Sequence, residues 1–129
     1  MSEKVKNAIN VSQLNKTWVL DIDGTLVKHN GYKIDGKDTF LEGAEAFLKG
    51  IPEEDMVVLI TSRTDAERAL TEAFLDEMGI RFNSIIFNAP YGERILINDR
   101  KPSGMNTAIA INPPRDTFMT AEFVQDETI

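Results

Sequence analysis

Two continuous apolar runs, TWVLDI at 17–22 and MVVLIT at 56–61, restrict the fold of this chain more than any other feature. Neither alternates apolar with polar residues, as a strand with one wet face would. Uninterrupted runs of this length suit strands covered on both faces, the usual situation in a parallel sheet. A parallel pair needs a crossover, and the residues between the runs supply one. Leu41, Ala44, Phe47, Leu48 and Ile51 recur at helical spacing, and Pro52 helps to stop that helix. After the second run, Thr64-Asp65-Ala66-Glu67 reads as a capping box. It opens a helix whose stripe of Ala66, Ala69, Leu70, Ala73, Phe74 and Met78 closes at Gly79. Weaker runs at 84–88 (SIIFN), 94–98 (RILIN) and 107–111 (TAIAI) bring the expected strands to five. The predicted fold is α/β: a Rossmann-like three-layer sandwich around a mainly parallel five-stranded sheet with right-handed crossovers.

The length of 129 residues suits one domain, with its core at about 17–111 and a tail at 112–129; no repeat or linker divides it. No window is long and apolar enough for a membrane span, so no membrane partner is expected. The start, MSEKVKNAIN, lacks the apolar core of a secretory signal, which points to the cytoplasm. The absence of cysteine excludes disulfides and thiolate metal sites. A net charge of −7 without clustered Lys and Arg argues against nucleic acid as a partner.

In sheets of this kind ligands bind beyond the carboxyl ends of the strands. Asp21 and Asp23 end the first expected strand, Thr61-Ser62-Arg63 the second, and Asn98-Asp99-Arg100-Lys101 the fourth. Three separate segments would thus deliver polar residues to one edge. Carboxylates as close as Asp21 and Asp23 repel each other and lose hydration, so a cation is expected beside them. Plainer readings remain for several residues. Thr64 is a helix cap, and Asp99 sits among turn formers. Lys101 reads equally well as solvated surface, and His29, alone in a polar loop, is given no role. Trp18, Phe47 and Phe74 read as core.

The stretch DIDGT after an apolar strand resembles the first motif of the haloacid dehalogenase-like superfamily, Asp-x-Asp-x-Thr. VVLITSR resembles its second motif and ILIND its fourth, so the resemblance covers about 17–111. It implies that Asp21 is a nucleophile forming an aspartyl-phosphate, and that Asp23 protonates the leaving oxygen and then activates water. It further implies Mg²⁺ held by the Asp21 and Asp99 carboxylates, the Asp23 backbone carbonyl and a phosphate oxygen. The substrate side would be Thr61, Ser62 and Arg63, offering hydroxyl and backbone N–H groups to the phosphoryl oxygens. Gly24 would let the chain leave the strand sharply, and Thr25 would fix the turn through its backbone.

The family's usual Lys or Arg before the fourth strand has no counterpart in FNAPYGER, where Asn88 and Ala89 stand. Arg94 would lie about 16 Å away, at the wrong end of the expected strand. Lys101 is better placed to assist catalysis, and Arg63 is a third candidate. Loops on both sides are too short for an inserted cap domain, leaving an open site with Lys28, Tyr32 and Lys33 on a short flap. The expected function is a Mg²⁺-dependent phosphatase hydrolysing a small phosphomonoester, a sugar phosphate or nucleotide, through an aspartyl-phosphate. The alternative is a binding or regulatory module that keeps the metal site but has lost efficient catalysis. Phe118, Met119 and Phe123 in the tail would either cover the core or meet another copy of the chain in a homo-oligomer.

Overall fold

The computed structural model describes residues 8–129. Residues 1–7, on which much of the reading of the amino terminus rests, lie outside the described residues. In chain order the elements are β1 (Ala8–Val11), β2 (Thr17–Asp21), α1 (Gly31–Ile34), α2 (Ala44–Lys49), β3 (Met56–Ile60), a 3₁₀ turn (Asp65–Glu67), α3 (Arg68–Glu77), β4 (Ser84–Ile86) and β5 (Glu122–Gln125). They fall into two compact units, one of Asn15–Gly92 with Pro113–Phe118, the other of the remaining segments.

The larger unit carries a parallel three-stranded sheet in the order β2-β3-β4. Both continuous apolar runs are strands, and the central one, β3, buries Val57 and Leu59 almost completely. Trp18 of β2 meets Phe47 of α2 edge to face, with ring centroids 5.4 Å apart. On the opposite sheet face, Val19, Met56 and Ile86 stay 56%, 48% and 47% exposed, so covering on both faces is met on one face only. Among the described residues of the larger unit, no helix covers that face as the expected third layer would. The capping box forms as the sequence predicts: the Thr64 hydroxyl accepts the Ala66 N–H, and Glu67 accepts the Thr64 N–H at 2.8 Å. It starts a 3₁₀ turn that runs into α3, and Gly79, in the left-handed region at φ 73°, follows the last turn. In register, Asp21 lies opposite Ile60, so the chain leaves β2 and β3 at the same sheet edge.

The smaller unit corrects the five-stranded expectation. Its parallel pair is β1 with β5, built from AINV and EFVQ, and neither RILIN nor TAIAI is a strand. Strand propensity needs a pairing partner to be realised. Instead, side chains close a loop over this stretch: Asn98 donates to the Thr107 hydroxyl, Thr107 to the Asp99 carbonyl, and Arg100 to Asn106 at 2.9 Å. Ile95, Leu96 and Ile97 are left 82%, 64% and 90% exposed. Among the described residues, two sheets of three and two strands replace one of five. Among the described residues no helix is long and apolar enough to cross a membrane.

Candidate active site

The turn after β2 is knotted on itself. The Ile22 carbonyl accepts the N–H groups of Leu26 and Val27 at 2.9 and 3.1 Å, and the Gly24 N–H returns to the Val27 carbonyl at 2.8 Å. Gly24 sits at φ 80°, a conformation that side chains disfavour. The Thr25 N–H also donates to the Ile22 carbonyl, at 3.3 Å, and its side chain adds a second bond. Its hydroxyl donates to the Asp21 carboxylate at 3.1 Å, which orients that carboxylate at the strand end.

Asp23 is held differently. The Arg63 Nε and Nη2 donate to its two oxygens, both at 2.9 Å. The same guanidinium grips Asp38 through Nη1 and Nη2 at 3.0 and 2.8 Å, and Nη1 also donates to the Thr71 hydroxyl at 2.8 Å. The Thr71 hydroxyl in turn donates to the Glu67 carbonyl at 2.7 Å, so α3 anchors the cluster. The Tyr32 ring covers the guanidinium at 4.2 Å. The Arg63 and Asp38 side chains are 1% and 2% exposed, whereas Asp23 keeps 18%. Burial works against the charged guanidinium, but hydrogen bonds and charge from Asp23 and Asp38 outweigh it and raise its pKa above the ordinary value. Arg63 is therefore a permanent cation.

This geometry reassigns Arg63. A guanidinium has five N–H donors, and all five are engaged inside the protein, leaving none for a phosphate oxygen. The contact expected between Arg63 and substrate is replaced by a grip on Asp23. Nothing in the sequence singles out Asp38, because an acid in the polar stretch DGKDT carries no signal of burial.

The other expected residues are placed as follows. Thr61, just past β3, is 1% exposed, and its hydroxyl accepts the Arg63 N–H at 3.0 Å. Ser62 is less buried, its hydroxyl 3.4 Å from the Pro90 carbonyl. Lys28 pairs with Asp35 at 2.9 Å, and the Lys33 ammonium lies 5.7 Å from the Tyr32 ring. Arg94, Asp99 and Lys101 belong to the smaller unit, and both Asp99 and Lys101 are exposed there. The larger unit thus brings together Asp21, Asp23, Gly24, Thr25, Thr61, Ser62 and Arg63. The strand expected to carry Asp99 to the same edge does not form.

Among the described residues no three His, Asp or Glu groups converge as a ready-made metal cage. Mg²⁺ does not require one, since it keeps several waters and takes one or two carboxylates together with substrate phosphate oxygens. The Asp21 carboxylate and the Asp23 backbone carbonyl are hard oxygen donors of that kind, two residues apart on one turn.

No family model and no curated protein matches the chain. It is similar to a protein in a solved structure titled "Structure of Pnkp1/Rnl/Hen1 complex", with a TM-score of 0.50 and 25% identity. The match covers 66% of this chain and 32% of that one, so the chain spans about a third of the length of its structural neighbour. These findings correct the resemblance to the haloacid dehalogenase-like superfamily: no family model supports it, and the matched structure is titled for a different set of proteins. The physical weakness lies in ILIND, whose expected strand is exposed, irregular chain.

Proposed function

We propose that the chain is a Mg²⁺-dependent phosphatase that hydrolyses a small phosphomonoester, a sugar phosphate or nucleotide, through an aspartyl-phosphate on Asp21. The observation that carries this reading is the unequal treatment of two neighbouring carboxylates: Asp21 is touched by the Thr25 hydroxyl, and Asp23 is clamped by Arg63. Acids set in different environments suit different roles. The Asp21 carboxylate attacks phosphorus in line, forming the new O–P bond as the bond to the leaving oxygen breaks. Asp23 gives that oxygen a proton and then takes one from the water that hydrolyses the intermediate. A carboxylate has about four lone-pair sites, so the bidentate pairing with Arg63 leaves Asp23 room for this proton traffic while fixing its orientation. The residues that would hold Mg²⁺ are Asp21 and, through its backbone carbonyl, Asp23. Bound there, the ion supplies neutralisation of the phosphoryl charge. Ser62, through its hydroxyl and its backbone N–H, supports the substrate side, since the N–H groups of Thr61 and Arg63 are already bonded within the protein.

The test is hydrolysis of a generic aryl phosphate. Wild-type protein is expected to turn it over only with Mg²⁺, and Asp21→Asn to lose roughly a thousandfold or more. A wild type inactive across a panel of phosphomonoesters with Mg²⁺ present would overturn the reading. A second reading, a binding module without efficient turnover, draws on the full engagement of Arg63. Calorimetry showing Mg²⁺ and phosphate bound without hydrolysis would favour it.

A further inference from the structure

A phosphoryl group beside Asp21 and Asp23 brings a third concentration of negative charge, and Arg63 has no donor to offer it. The chain provides another cation from an unexpected place. Residues Pro113–Phe118 belong to the larger unit, although the segments on either side, Glu93–Asn112 and Met119–Ile129, belong to the smaller one. This short excursion is pinned onto the turn after β2. The Asp116 N–H donates to the Gly24 carbonyl at 2.8 Å, and its carboxylate accepts the His29 N–H at 2.7 Å. Asp116 adopts φ 65°, a left-handed conformation that Asp tolerates better than most side chains, and these two hydrogen bonds hold it there. Phe118 is buried, its ring centroid 5.2 Å from that of Phe47.

The result is the position of Arg115. A Cβ added to Gly24 would lie 3.0 Å from the Arg115 Cγ and 3.7 Å from its Cδ, so the side chain lies along the backbone of the residue following Asp23. Gly24 is therefore needed twice, for its backbone angle and for the room its missing side chain gives Arg115. Arg115 is exposed, and among the described residues no hydrogen bond or ion pair holds its guanidinium. Other cations near this turn differ: Arg63 is saturated, Lys28 is paired with Asp35, and the Lys33 ammonium lies 5.7 Å from the Tyr32 ring.

We infer that Arg115 is the phosphate-binding cation of this site, gripping the phosphoryl oxygens of the substrate with the planar fork that suits them. The assignment rests on the proposed phosphatase reading and goes beyond it by naming a binding residue from the tail. Arg115 touches substrate alone; Asp116 and Phe118 position it.

The experiment compares wild type, Arg115→Ala, Arg115→Lys and, as a charge-matched control, Lys49→Ala, whose ammonium pairs with Glu45 on α2. Each is assayed for Mg²⁺-dependent aryl phosphate hydrolysis and for inhibition by inorganic phosphate. Binding of inorganic phosphate is also measured by calorimetry in the Asp21→Asn background, which needs no turnover. Arg115→Ala is expected to weaken phosphate binding and raise KM by roughly tenfold to a hundredfold, with Arg115→Lys in between and Lys49→Ala unchanged. An active wild type matched within about twofold by Arg115→Ala in both measurements overturns the Arg115 assignment and leaves the phosphatase reading standing. A wild type that neither hydrolyses nor binds phosphate overturns both. Circular dichroism tests whether Arg115→Ala is folded. Should it unfold, Arg115→Gln, which keeps the stem and removes the charge, takes its place in both measurements with the same outcomes for and against.

Discussion

The strands β2 and β3 have a buried acid near each end, and the two ends are built on different principles. At their amino ends Asp55 accepts the Lys16 N–H at 3.0 Å and the Trp18 indole N–H at 2.9 Å, one donor to each carboxylate oxygen. Its own carbonyl takes Arg81 at 3.2 Å, and only 5% of the residue is exposed. These carboxylate bonds tie the start of β2 to the start of β3. At their carboxyl ends, one guanidinium faces Asp23 and Asp38, with Asp21 on the same turn, and Asp23 keeps its opening to solvent. An acid closed in by main-chain and indole donors serves the fold. A cluster gripped by one guanidinium and open on one side is suited to meeting a ligand or exchanging a proton.

Removing the cation from the carboxyl end should break that contrast most severely. Arg63→Met leaves Asp38 buried and Asp23 nearly so without a counter-charge, and loss of one partner from a buried ion pair costs about 3–5 kcal/mol. Urea denaturation reads the loss. A change below about 1 kcal/mol would mean that the two acids simply protonate or turn to solvent, and that Arg63 does not organise the cluster.

At the amino end the same logic gives a smaller effect of a different kind. Asp55→Ala removes the carboxylate that accepts the Lys16 N–H and the Trp18 indole N–H, and a lost hydrogen bond at a part-buried site costs roughly 1–3 kcal/mol. The variant should unfold at lower urea than wild type. At a temperature where it remains folded, phosphate ester hydrolysis should be unchanged, because this end lies beyond the opposite ends of the strands. A loss of kcat in a folded Asp55→Ala variant would erase the distinction between the two ends.

The sequence carried these two ends unequally. Asp21 and Asp23 were legible because both sit on one short segment after an apolar run. The helix start at Thr64 was legible because a capping box is local. The Arg63 grip was not, since its partners lie 40, 25 and 8 residues away at Asp23, Asp38 and Thr71, and no periodicity links them. Distant pairing also decided the sheets. RILIN has the composition of a strand but forms none among the described residues, whereas AINV and EFVQ, from near opposite ends of the chain, pair with each other. Arg115 was hidden for the same reason: a tail rich in Pro and Asp gives no sign that it folds back onto Gly24.

The smallest effect belongs to the cap that starts α3 and so holds Thr71 against Arg63. Thr64→Ala should cost about 1 kcal/mol, as loss of a helix N-cap does. Its pH dependence sharpens the test. The Thr64 backbone N–H, then its hydroxyl, hold the Glu67 carboxyl below its ordinary value of 4.5. A carboxyl depressed in the folded state contributes stability above its unfolded pKa and loses that contribution as pH falls through the folded one. The gap between wild type and Thr64→Ala, measured by urea denaturation, should therefore be widest near neutrality and narrow as Glu67 takes up its proton. An equal gap at about pH 7 and about pH 3 would show that the Thr64 hydroxyl acts through the Ala66 N–H alone and that its bond to Glu67 adds nothing. The backbone N–H bond to Glu67 is common to both proteins and cancels in the comparison.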